Sequence, residues 1–128
     1  MHPTPQAARS ILIVEDEYFI SELYLRALKR AGYDVTVEVD GQKGLAQALT
    51  NRFDLILLDL MIPTITGIEV LHRLRAPGAP PLKARIIITT NLQQSADIRA
   101  DIEQQADAYL VKAEITPREL VKFLDTIK

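Results

Sequence analysis

The stretch DLILLDLMIPTITGIEVL, residues 54–71, decides the fold. Its opening DLILL is short and nearly all apolar, as a strand covered on both faces should be. The run stops on an acid, Asp59. A loop containing Pro63 follows, and Gly67 then opens a helical pattern over residues 67–75. A buried strand, an acid at its carboxyl end, a loop and a helix make one turn of an alternating α/β fold.

The same unit recurs on both sides. Upstream, SILIV at residues 10–14 is a second buried strand. Residues 17–31 then carry apolar positions at Ile20, Leu23/Tyr24, Ala27/Leu28 and Ala31, which is helical spacing, and Gly32 is the expected stop. Residues 34–39 alternate through Val35, Val37 and Val39, suiting a half-exposed edge strand, and residues 41–51 read as a short helix. Downstream, residues 76–82 hold three prolines and a glycine and form a loop. A fourth strand begins at Arg85 and runs into Thr89 and Thr90. A weakly patterned helix covers residues 95–105, and a fifth strand, residues 107–111, ends at Lys112. Thr116, Pro117 and Glu119 open the last helix as cap, first-turn proline and capping-box acid, with Leu120, Leu124 and Ile127 as its buried stripe. Five such units imply right-handed crossovers and a doubly wound (βα)5 domain with a parallel five-stranded sheet.

Composition excludes much else. The chain has 128 residues, enough for one domain, with a net charge of −2 and no cysteine. There is no disulfide framework, no thiolate metal site and no global basic field, so direct nucleic-acid binding is not expected. No apolar run reaches the roughly 18 residues of a membrane span. Residues 1–9 are polar, contain Pro3 and Pro5, and lack the apolar segment of a secretory signal. They read as a flexible leader before a domain of residues 10–128, and a cytoplasmic location is the expectation.

Functional groups of a doubly wound fold gather at the carboxyl ends of its strands. Here those ends carry Glu15 and Asp16, Asp59, Thr89 and Thr90, and Lys112. If the strand order is 2-1-3-4-5, strands one and three are neighbours and their acids meet. Three carboxylates in one crevice repel, and a hard cation such as Mg²⁺ relieves them. Lys112 adds a compact charge suited to a phosphoryl oxygen, and a threonine hydroxyl can donate to another. An Asp acting as nucleophile on phosphorus completes the set, and Asp59 is central in the sheet.

The sequence resembles the receiver (CheY-like) domain of bacterial two-component response regulators over residues 10–128. The matching pieces are ILIVEDE at residues 11–17, DLILLDLMIPTITGIEVL at 54–71 and ADAYLVK at 106–112, with Asp59, Pro63 and Gly67 in the D-x-x-x-P-x-x-x-G pattern. The resemblance implies the flavodoxin-like architecture and a set of roles. Asp59 accepts phosphate from a sensor histidine kinase or phosphotransfer protein. Asp16 ligates Mg²⁺ directly, Glu15 acts largely through water, and the backbone carbonyl of Met61 is a further ligand. Lys112 contacts the phosphoryl group. Thr90 is the switch hydroxyl, since its interval to Lys112 is similar to the family's, and Tyr109 moves with it; counting from Asp59 favours Thr89 instead. The face of helix four, strand five and helix five then changes affinity for a downstream protein.

The sequence also departs from the family. A Lys-Pro cis peptide is usual where this chain has Lys112-Ala113, and cis would cost about 2.5–4 kcal/mol there, so trans is expected. Asn91 replaces a small residue and narrows access to Asp59. Met61 and Leu92 are apolar neighbours that cannot orient a water, which implies slow self-dephosphorylation. Helix four lacks the charged pattern of the winged-helix transcription-factor branch, so the chain is expected to be a monomer or weak dimer. Two competing functions remain. A haloacid-dehalogenase-type phosphatase needs a second acid where Met61 stands. A degenerate receiver used as a constitutive scaffold needs no acidic set. His2, His72, Asp40 and Asp54 read as surface or turn residues.

Overall fold

The computed structural model describes residues 8–91 and 94–127. The leader residues 1–7 and Leu92, the expected apolar neighbour of the site, lie outside the described residues. Five strands, β1 (Ser10–Val14), β2 (Asp34–Glu38), β3 (Leu55–Asp59), β4 (Arg85–Thr90) and β5 (Ala108–Val111), form one sheet in the order β2-β1-β3-β4-β5. Every neighbouring pair is parallel. The helices are α1 (Tyr18–Arg30), α2 (Gly41–Ala48), α3 (Gly67–Arg75), α4 (Ala96–Gln105) and α5 (Pro117–Thr126).

Alternation along each strand sorts the core into two layers. Ile11, Ile13, Leu55, Leu57 and Ile87 pack on one face against Tyr24 and Leu28 of α1 and Leu120 and Leu124 of α5. Leu12, Val14, Ile56, Leu58, Ile86 and Ile88 pack on the other against Leu45, Val70, Leu71 and Ile102 of α2, α3 and α4. Each such aliphatic side chain, removed from water, contributes roughly 1.5–3 kcal/mol. This two-sided burial is why β1 and β3 read as unbroken apolar runs, while β2, at the edge, is exposed at Asp34 and half-buried from Val35 to Glu38.

Side chains fasten the opposite end of the sheet. Asp54 Oδ2 accepts from the backbone N–H of Ser10 at 2.8 Å, and Asp107 Oδ2 accepts from that of Ile86 at 2.7 Å. Asp54 is thus a strand-start residue. The α5 capping box forms as expected, with Thr116 Oγ1 accepting from Glu119 N at 3.1 Å and Glu119 Oε1 from Thr116 N at 3.0 Å.

Three expectations are corrected in detail. In α1 the buried face comprises Ser21, Tyr24 and Leu28, so Leu23 turns outward. Helix α2 ends at Ala48, short of residue 51, and Asn51 takes a left-handed φ of 57°. After β5 the chain makes a 3-10 turn, Lys112–Glu114, which periodicity does not signal because one turn is too short to show a repeat. Every peptide bond among the described residues is trans, Lys112-Ala113 included.

Candidate functional site

Because β1 and β3 are neighbours in register, their ends deliver acids to one place: Val14 pairs with Leu58, and the next residues are Glu15 and Asp59. Glu15 is 2% and Asp59 1% exposed, whereas Asp16 faces solvent. One carboxylate oxygen from each of Glu15, Asp16 and Asp59 lies within 4.8 Å of the others, a spacing a single divalent ion can span.

The Asp59 carboxylate is fixed at both oxygens. Oδ1 accepts from the backbone N–H of Met61 at 3.1 Å, and Oδ2 accepts from Lys112 Nζ at 2.9 Å. Lys112, itself buried at the start of the 3-10 turn, also donates to Glu15 Oε1. Two buried carboxylates therefore share one ammonium, which can neutralise only one of them. Burial, reinforced by Asp59, pushes Glu15 above the usual carboxylate range despite the lowering by Lys112. Burial alone would lower Lys112, but its bonds to Glu15 and Asp59 outweigh that and hold it above the usual lysine range. A pocket with a surplus buried negative charge is one that a cation stabilises.

Thr89 and Thr90 are both buried at the end of β4 but face opposite sides of the sheet. Thr89 pairs with Asp59 in register. Thr90 Oγ1 accepts from Gln94 Nε2 at 3.3 Å, and the backbone N–H of Gln94 donates to the hydroxyl of Tyr109 at 3.2 Å. Gln94 thus links the threonine to the half-buried aromatic, whose ring lies 4.8 Å from the Arg99 guanidinium. Met61 points its side chain outward at 68% exposure.

The structure adds contacts that sequence reading misses. A Cβ on Gly67 would collide with the backbone of Asp59. Glu17 receives a hydrogen bond from Asn91 Nδ2 at 3.2 Å, joining the loops after β1 and β4. The glycine was visible in the D-x-x-x-P-x-x-x-G pattern, but its contact was not. The Glu17–Asn91 pair, 74 positions apart, has no sequence signal.

Fold and site together define a doubly wound α/β domain with a pocket of three carboxylates and one lysine at its strand ends. The family model for the response regulator receiver domain matches residues 11–125. The chain is 43% identical over 102 residues to response regulator ArlR of Staphylococcus saprophyticus, covering 80% of this chain and 44% of that protein. The ArlR of Staphylococcus haemolyticus is 41% identical over 103 residues, covering 80% and 45%. The chain therefore spans less than half the length of the curated relatives it matches. Among solved structures, the Vibrio cholerae chemotaxis protein CheY4 superposes with a TM-score of 0.81 at 29% identity, covering 95% of this chain and all of that one. A CheY-like receiver domain protein from Methanospirillum hungatei gives 0.76 at 30% identity, covering 92% and 91%.

The chain belongs to the response regulator receiver domain family, the phospho-acceptor signalling domain of two-component systems. No observation favours a degenerate scaffold. Among the described residues, no helix is long and apolar enough to cross a membrane.

Proposed function

We propose that Asp59 is the phospho-acceptor and that Glu15, Asp16, Asp59 and the backbone carbonyl of Met61 hold Mg²⁺. The single observation that carries this reading is the Asp59 carboxylate, pinned between Met61 N and Lys112 Nζ with two further acids beside it. The donor is a sensor histidine kinase or a histidine phosphotransfer protein. An Asp59 oxygen forms the bond to phosphorus as the P–N bond to the donor's imidazole breaks, and the electron pair stays on the ring nitrogen. The bound cation neutralises charge on the phosphoryl oxygens.

The chain's own residues do the rest. Met61 N–H orients the nucleophile. Lys112, with three donors, passes from the two carboxylates to a phosphoryl oxygen. The phosphoryl group adds roughly −1.5 to −2 charge, which draws in the hydroxyl of Thr90. The link through Gln94 supports Thr90 over Thr89, because it ties that hydroxyl to Tyr109 and hence to the α4–β5–α5 face. The population shift that follows sets affinity for a downstream protein. A cytoplasmic site of action fits a kinase donor.

Intact mass after treatment with acetyl phosphate and Mg²⁺ tests the reading. One added phosphoryl group, absent in Asp59→Asn, is the expected result. Equal labelling of Asp59→Asn overturns it.

A further inference from the structure

The hydrogen bond from Asn91 Nδ2 to Glu17 Oε1 has a position that the topology dictates. Glu17 follows β1 and Asn91 follows β4. In the order β2-β1-β3-β4-β5, the strand between them is β3, which ends at Asp59. The two flanking strands stand about 10 Å apart, two strand spacings. A side-chain bridge between their ends therefore arches over the end of β3.

Glu17 is also the N-cap residue of α1, yet its side chain makes no cap bond to its own helix. Its backbone N–H is bound to Glu15 Oε2 at 3.2 Å, which fixes the residue to the pocket wall. The carboxylate is thus held toward the opposite loop and away from α1. Both partners are exposed, so the bridge sits at the mouth of the pocket and not within it.

We propose that Glu17 and Asn91 form a latch over the phosphoryl entrance to Asp59. Closed, it places a fixed negative charge and an amide across the path of an incoming anionic phosphoryl group. A free small donor must break the bridge by itself. The latch therefore slows the entry of a free phosphoryl donor to Asp59. Asn91 acts through Glu17 and is a positioning residue.

The inference rests on Asp59 being the acceptor, and one labelling series separates the two. Acetyl phosphate with Mg²⁺ labels the protein as an Asp59 oxygen bonds to phosphorus and acetate departs with the electron pair of the broken P–O bond. Asn91→Ala should label about threefold faster than wild type, the modest factor expected of one exposed charged hydrogen bond. Asn91→Gln, which keeps an amide donor, should return toward the wild-type rate. Glu17→Ala should be at least as fast as Asn91→Ala, and the double variant no faster than Glu17→Ala, because one bridge cannot be broken twice. Thermal midpoints, recorded alongside, should be unchanged at these exposed positions. A wild-type rate for Asn91→Ala, or multiplying effects in the double variant, overturns the latch alone. An unlabelled wild type, or a labelled Asp59→Asn, overturns the acceptor assignment and the latch with it.

Discussion

A Cβ added to Gly67 would lie 2.1 Å from the carbonyl oxygen of Asp59 and 2.7 Å from Cα of Leu60. The first turn of α3 is thus seated directly on the backbone of Asp59 and Leu60. Gly67 N also donates to Leu60 O at 3.0 Å, so the seat is a hydrogen bond that only a glycine can reach. Gly67→Ala should lower stability by about 2–3 kcal/mol, since the colliding atoms are backbone and cannot rotate away. It should also slow labelling of Asp59. Urea unfolding and intact mass check the two effects.

The pocket holds two buried carboxylates on one lysine. Asp59→Asn removes the surplus charge and should raise stability by about 1 kcal/mol in the absence of divalent ions. Adding Mg²⁺ at about a hundred times its dissociation constant should then stabilise wild type by about 2.7 kcal/mol and the variant by less. Thermal midpoints with Mg²⁺ and with chelator measure both. Equal gains in the two proteins would remove Asp59 from the ligand set.

The two threonines make opposite predictions. Thr90→Ala should leave Asp59 able to take phosphate but abolish the response at Tyr109, because the chain of contacts through Gln94 begins at that hydroxyl. Thr89→Ala should keep the response. NMR shifts of the Tyr109 ring, before and after phosphorylation, decide between them. Loss of the response in Thr89→Ala alone transfers the switch to Thr89.

Tyr33 donates its hydroxyl to Asp125 Oδ1 at 2.7 Å, joining the start of β2 to α5. Burial, and then this bond, push Tyr33 up to about 12. An unfolded tyrosine ionises near pH 10. The raised value contributes stability that is complete below pH 10 and lost as pH rises through about 12. Tyr33→Phe should cost about 1 kcal/mol at neutral pH, and its deficit should shrink above pH 10. Denaturant midpoints of both proteins across that range test the sign.

Much of this was legible in the amino-acid order. The apolar runs at β1 and β3 are unbroken because both faces are covered, and acids at their ends follow from register once the strands are neighbours. Thr116, Pro117 and Glu119 announce α5 because capping is local chemistry. Helix α4 is different: only Ile102 is fully buried, so its pattern is faint. Tyr18 and Phe19 are 77% and 74% exposed, which hydropathy alone would deny. The direct bond from Lys112 to Glu15 was not foreseen either. Sequence places these residues at the pocket, but that one lysine bridges both buried carboxylates shows only in the folded chain.

The carboxylates of Asp54 and Asp107 clasp the backbone at the foot of the sheet, at the end away from Asp59. They tie β3 to β1 and β5 to β4 at that end. A phosphoryl charge on Asp59, as proposed above, would meet strands whose register is pinned at the base. On that reading the loops and helices beside the pocket would carry the change to a surface that a second molecule can feel.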